Sequence, residues 1–149
     1  MNAERRSLDG ASPARLYATL VGGTLLVVGI IGFFYSASFG DPGTVDSVLG
    51  IFAVNGWHNI VHILTGALGL LVAGYAAREY ALGLGVVYTL IAIWGFIIGD
   101  NESILGFIPV NTEDNFLHLA LGALGLAAGL ATPVDARRRV ERDRDVRTT

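Results

Sequence analysis

SVLGIFAVNGWHNIVHILTGALGL, residues 47–70, and SILGFIPVNTEDNFLHLALGALGL, residues 103–126, read as one segment written twice. At a constant offset of 56, 12 of the 24 positions are identical. Ser47, Leu49, Gly50, Val54, Asn55, Asn59, His62 and 66–70 recur as Ser103, Leu105, Gly106, Val110, Asn111, Asn115, His118 and 122–126. Upstream, Ala14, Arg15, Tyr17, Ala18, Gly22, Gly32 and Phe33 recur as Ala77, Arg78, Tyr80, Ala81, Gly85, Gly95 and Phe96 at an offset of 63. Similarity between apolar helices supplies glycines and leucines by chance. It does not readily supply paired Asn, His, Arg and Tyr. The chain therefore reads as two tandem copies of one unit: helix, loop, short apolar Leu-Gly segment, Val-Asn, helix. Both copies run in the same direction, so the repeat is parallel, with a pseudo-two-fold axis along the membrane normal.

The units are built of membrane-like sequence. Of 149 residues, 52% are hydrophobic and 15% are charged, against about 25% charged in an ordinary soluble domain. Mean hydropathy is +0.56. The absence of cysteine excludes a disulfide scaffold, a thiolate metal site and cysteine catalysis. Four apolar runs, at about 16–35, 57–77, 80–98 and 115–131, approach the ~20 residues a helix needs to cross a bilayer. The fourth is the shortest. Backbone polar groups in lipid must be satisfied within the segment, and no strict alternation points to a barrel, so the runs are expected to be helices. The first run is too long for the apolar region of a signal peptide and has a repeat partner, so it is expected to be retained.

Arginine distribution sets the expected orientation. The chain has 10 arginines and no lysine. Arg5, Arg6 and Arg15 precede the first run, Arg78 lies between the second and third, and the remaining six lie at 137–147. The intervening loops carry Asp41, Asp46, Asp100, Glu102, Glu113 and Asp114 instead. Both termini are then cytoplasmic in the cell membrane and both long loops lie outside. The expected organisation is a cytoplasmic tail at 1–13, a four-helix domain at 14–131 (repeats 14–76 and 77–131), and an Arg-rich cytoplasmic tail at 132–149. Acids interleave with the tail arginines, so no nucleic-acid partner is expected. Tyr17, Tyr75 and Tyr80 are expected at the inner membrane boundary, and Tyr35, Trp57 and Trp94 at the outer one. The short patches 48–54 and 104–110 cannot span; they are expected along the outer surface or in the mouth of the bundle.

Small residues let membrane helices approach closely. Gly66, Gly69 and Ala73 on the second run, and Gly122, Gly125 and Gly129 on the fourth, predict that these two helices pack against each other. The same faces would serve a homo-oligomer. Gly22, Gly29 and Gly32 give the first run a similar face.

Ionisable residues inside such spans are functional candidates. His58 and His62 share a helix face at i, i+4 spacing, and Asp114 and His118 do the same at the corresponding positions. Asn55, Asn59, Asn111 and Asn115 surround them. Three readings stay open. The leading one is a structural, hydrogen-bonded plug that needs no cofactor, with Asn59 and Asn115 reaching back to the Val-Asn loops. The second is a transition-metal site on His58, His62, Asp114 and His118. The third is b-type haem on His62 and His118, which would force the helices apart. Tyr88, Thr65 and Thr89 are expected to bond helix backbone. No nucleophile elbow or phosphate loop points to an enzyme.

The doubled pattern S-x-L-G-x-x-x-V-N-x-x-x-N-x-x-H-x-x-x-G-A-L-G-L, with A-R-x-Y-A at 14–18 and 77–81, resembles the prokaryotic four-helix membrane family catalogued as domain of unknown function 4383. The resemblance runs from about 13 to 131. It implies a fold and no activity. The fold class expected is an all-α integral membrane four-helix bundle of two tandem hairpin repeats. The function expected is a non-enzymatic structural or partner-binding membrane component, with a small metal- or haem-binding redox protein as the alternative.

Overall fold

The structure, a computed structural model, describes residues 12–40, 46–100 and 102–134. Most of both expected tails, including the arginines at 137–147, lies outside them. The described residues are mostly helical and form four helices: α1 (Pro13–Gly32), α2 (Gly56–Val72), α3 (Ala77–Ile98) and α4 (Thr112–Ala131). Three of the four starts have a capping or proline signal, and α3 begins without a side-chain cap. Pro13 occupies the first turn of α1, where its missing N–H is harmless, and the Ser12 hydroxyl accepts from the Arg15 amide at 3.3 Å. Asn55 and Asn111 cap α2 and α4 by accepting from the amides of His58 and Asp114, each at 2.9 Å. In α4 the Asp114 carboxylate also reaches back to the Asn111 amide, closing a capping box.

Helices α1, α3 and α4 are long and apolar enough to cross a membrane, and α2 is a shorter apolar helix of 17 residues. The sequence expectation made the fourth run the shortest. The capping box starts α4 earlier than its hydropathy does, while the reversal into α3 takes residues 73–76 away from α2. At about 1.5 Å per residue, α2 is about 25 Å long, against a hydrocarbon core of about 30 Å.

The short apolar patches are β-hairpins rather than featureless loops. β1 (Asp46–Val48) pairs with β2 (Phe52–Val54), and β3 (Ser103–Ile104) with β4 (Ile108–Pro109), both antiparallel. At each tip a Leu-Gly pair takes positive φ: 54° and 70° at Leu49 and Gly50, 54° and 79° at Leu105 and Gly106. Two consecutive left-handed residues are what a tight type I′ hairpin turn requires, and leucine there is strained.

Packing corrects one expectation. The glycines of α2 and α4 do not face each other. A Cβ on Gly66 would strike the Leu26 amide and the Gly22 carbonyl of α1, and one on Gly122 would strike Thr89 and the Gly85 carbonyl of α3. The glycine faces therefore close two hairpins, α1 on α2 and α3 on α4, with α1 also meeting α3 and α4. The helices that pair are joined by the longer connections, 33–55 and 99–111, while the four residues 73–76 join α2 to α3; each paired helix has a small-residue face to offer.

Tyr17 and Tyr80 turn inward. Both rings are buried, and of the three tyrosines expected at the inner boundary only Tyr75 is exposed. Tyr80 fills the space left by Gly69 of α2, and Tyr17 the space left by Gly125 of α4. Their hydroxyls donate across the halves, Tyr17 to the Leu121 carbonyl at 2.9 Å and Tyr80 to the Thr65 carbonyl at 3.0 Å. Buried phenols seek such acceptors.

The outside is apolar. Phe34, Leu64, Leu71, Ile97 and Leu130 are all more than 60% exposed. The inside holds alanines, glycines, tyrosines and a set of Asn, His and Asp side chains. A protein folded in water buries its large aliphatic residues; this one displays them.

Candidate metal centre

The polar interior sits at the hairpin end of the bundle, and three of its asparagines, Asn55, Asn59 and Asn111, are committed to structure, while Oδ1 of Asn115 is buried with no hydrogen-bond partner. Beyond capping, Asn55 donates to the Phe107 carbonyl at 2.6 Å and Asn111 to the Ile51 carbonyl at 2.5 Å. Each cap therefore clamps the opposite hairpin. Asn59 donates to the Ser36 carbonyl at 2.9 Å, past the end of α1, and not to its own Val-Asn loop as expected. Its amide occupies the space that a Cβ on Gly32 would take, and Asn115 does the same at Gly95.

Asp114 is likewise engaged. Its Oδ2 accepts from the Ala53 amide at 2.9 Å, across the halves, and from the Asn111 amide at 3.3 Å. The corresponding place in the other half pairs His58 with Pro109, which has no N–H to give. The His58 ring lies against the carbonyls of Ala53 and Pro109.

The histidines converge. One ligand atom from each of His58, His62 and His118 lies within 4.8 Å of the other two. Ring centroids are 4.5 Å apart for His58–His62, 6.0 Å for His58–His118 and 6.3 Å for His62–His118. His58 and His118 are buried and His62 is partly buried. Nδ1 of both His58 and His118 is buried with no hydrogen-bond partner. A buried polar atom left unpaired is costly, and a neutral imidazole nitrogen with a free lone pair is a metal donor. Nitrogens about 2.0–2.1 Å from one tetrahedral ion lie about 3.3 Å apart, so the widest pair, at 4.8 Å or less, closes by at most about 1.5 Å of ring movement.

Of the four sequence-level candidates, the structure brings together the three histidines. Asp114 is held outside that set by its two amide bonds. The haem geometry fits poorly: His58, 4.5 Å from His62 and 6.0 Å from His118, intrudes where a macrocycle between those two would lie.

Sequence reasoning missed Tyr88. Thr65 and Thr89 donate to backbone carbonyls of their own helices at 2.7 Å and 2.8 Å, as expected. The Tyr88 hydroxyl is buried with no partner, and its ring centroid is 5.0 Å from that of His118. The signal was present: at the offset of 63, Tyr88 falls opposite Leu25, so this phenol is one the first half lacks.

The family model for Domain of unknown function (DUF4383) matches residues 15–131. The chain belongs to this family. The matched DUF4383 region contains the three histidines, Asp114, Tyr88 and the asparagines at 55, 59, 111 and 115. No curated protein and no solved structure matches the chain.

Proposed function

We propose that this chain is an integral membrane protein that holds one divalent transition-metal ion on His58, His62 and His118. The convergence of three largely buried imidazoles carries the reading. Nitrogen donors of this kind suit zinc, copper, iron or nickel more than the hard cations that prefer oxygen. The membrane part rests on three helices of spanning length, on the apolar exterior and on the polar interior. The distribution of arginine favours both termini in the cytoplasm, which puts the metal site toward the outer face. Contacts that recur at corresponding positions support two tandem repeats, 14–76 and 77–131. The bilayer is then the chain's first partner.

A structural role without metal has its own support. Asn55, Asn59, Asn111 and Asp114 all spend their polar atoms bracing backbone. In that reading the histidines complete a hydrogen-bonded plug. Elemental analysis separates the two readings, using protein purified in mild detergent without chelator or histidine tag. The metal reading expects about one mole of transition metal per mole, lost in His62→Ala and in His118→Ala while helicity is kept. A folded wild type that binds no metal when offered zinc, copper or iron would overturn it and leave the plug.

A further inference from the structure

The three histidines supply neutral donors only. A divalent ion among them would bring two positive charges into a buried site, and burying uncompensated charge is expensive. The nearby carboxylate, Asp114, is held by the amides of Ala53 and Asn111. Tyr88 is the remaining group of suitable chemistry. It is 2% exposed, its hydroxyl has no hydrogen-bond partner, and its ring stands 5.0 Å from that of His118. The Thr65 hydroxyl near it gives its own proton to the Val61 carbonyl at 2.7 Å, so toward the phenol it can act only as an acceptor.

Differences between the two halves converge on the same place. Tyr17 pairs with Tyr80, His62 with His118, Asn59 with Asn115 and Gly32 with Gly95. The polar residues without such a counterpart include His58 (against Asp114), Tyr88 (against Leu25) and Thr65 (against Leu121). His58 and Tyr88 each contact His118, and Thr65 lies three residues after His62 on the same helix. A frame common to both halves holds the symmetric pair, and the unshared residues gather around it.

From this we infer that the Tyr88 phenol is the fourth donor to the ion held by His58, His62 and His118. The inference rests on the metal reading above. On binding, the phenol O–H loses its proton to solvent and the oxygen lone pair forms the bond to the ion. The charge in the buried site falls by one and one proton is released per ion.

Cu(II) is the probe. One equivalent is added to metal-free full-length protein in detergent, followed by visible absorption, resonance Raman spectra and proton release in weak buffer. Wild type should show a phenolate-to-copper charge-transfer band and enhanced tyrosinate ring modes. Tyr88→Phe should still bind one copper through the histidines, about tenfold or more weakly, without the band and with one proton fewer released. The Phe variant removes only an oxygen that has no partner, so its helicity and melting should match wild type. If it fails to fold, the Raman spectrum of wild type alone decides, since it needs no substitution. Stoichiometric copper without tyrosinate modes in wild type, or an unchanged spectrum in Tyr88→Phe, overturns the role of Tyr88 and leaves the histidine site standing. A wild type that takes up no copper, zinc or iron overturns the histidine site, and the role of Tyr88 with it.

Discussion

In the first half Gly32 leaves room for the Asn59 amide, and in the second Gly95 leaves room for Asn115. Gly22 lies against the Gly66 carbonyl, and Gly85 against that of Gly122. Asn55 clamps the second hairpin and Asn111 the first. Tyr17 reaches α4 and Tyr80 reaches α2. The halves part company where the amide of Ala53 has no equivalent at Pro109. On the side with a donor, Asp114 supplies the acceptor at 2.9 Å. On the side without one, a carboxylate would find no such amide, and His58 stands there beside His62 and His118. Backbone accounting explains why the two exchanges go together, since a buried N–H needs an acceptor and proline offers none. Shared positions build the frame and supply His62 and His118, and the unshared His58 joins them.

The comparison breaks most visibly at the glycine seams. Gly66→Leu and Gly122→Leu should each cost about 3 kcal/mol, because the new side chain meets the backbone of the partner helix at both sites, and the Thr89 hydroxyl as well at Gly122. Thermal unfolding in detergent measures this. The two losses should be similar, and a large inequality would mean that one hairpin carries the bundle. Gly23→Ala is the internal control, since nothing lies within 4 Å of its added Cβ, and no loss is expected.

Asp114→Ala and His58→Ala sharpen the contrast at the unshared position. Removing the carboxylate orphans the Ala53 amide and opens the capping box, for about 1–3 kcal/mol. Removing His58 orphans no such amide. It should cost less stability than Asp114→Ala but reduce metal content, read by unfolding and elemental analysis on the same preparations. Equal stability losses with no change in metal would dissolve the distinction between frame and site.

The smallest effects belong to the tyrosine crossings. Tyr17→Phe and Tyr80→Phe should each lose about 0.5–1.5 kcal/mol, the net worth of one hydrogen bond. Their ring centroids are 6.4 Å apart, so the double variant should depart from additivity.

Much of this was legible in the order of residues. Long uncharged runs required helices, because hydropathy acts locally and a backbone in lipid must satisfy itself. Recurring Asn, His and Tyr at two constant offsets linked the halves before any contact was known. The i, i+4 histidines followed from helical geometry, which sequence spacing encodes directly, whereas the capping by Asn55 and Asn111 came only with the structure. The choice of neighbours was another matter. A glycine face says that a helix comes close and does not say which one, so Gly66 and Gly122 were matched to each other when each belongs to its own hairpin partner. The inward turn of Tyr17 and Tyr80 was not legible, because a phenol suits both a lipid-facing interface and a buried acceptor, and only the opposing Gly125 and Gly69 decide between them. Asp114 had the right spacing to join His118 and was drawn away by an amide 61 positions earlier. Local order determined the helices and which residues could meet; long-range packing decided which of them did, because a side chain's partner depends on the element that arrives opposite it.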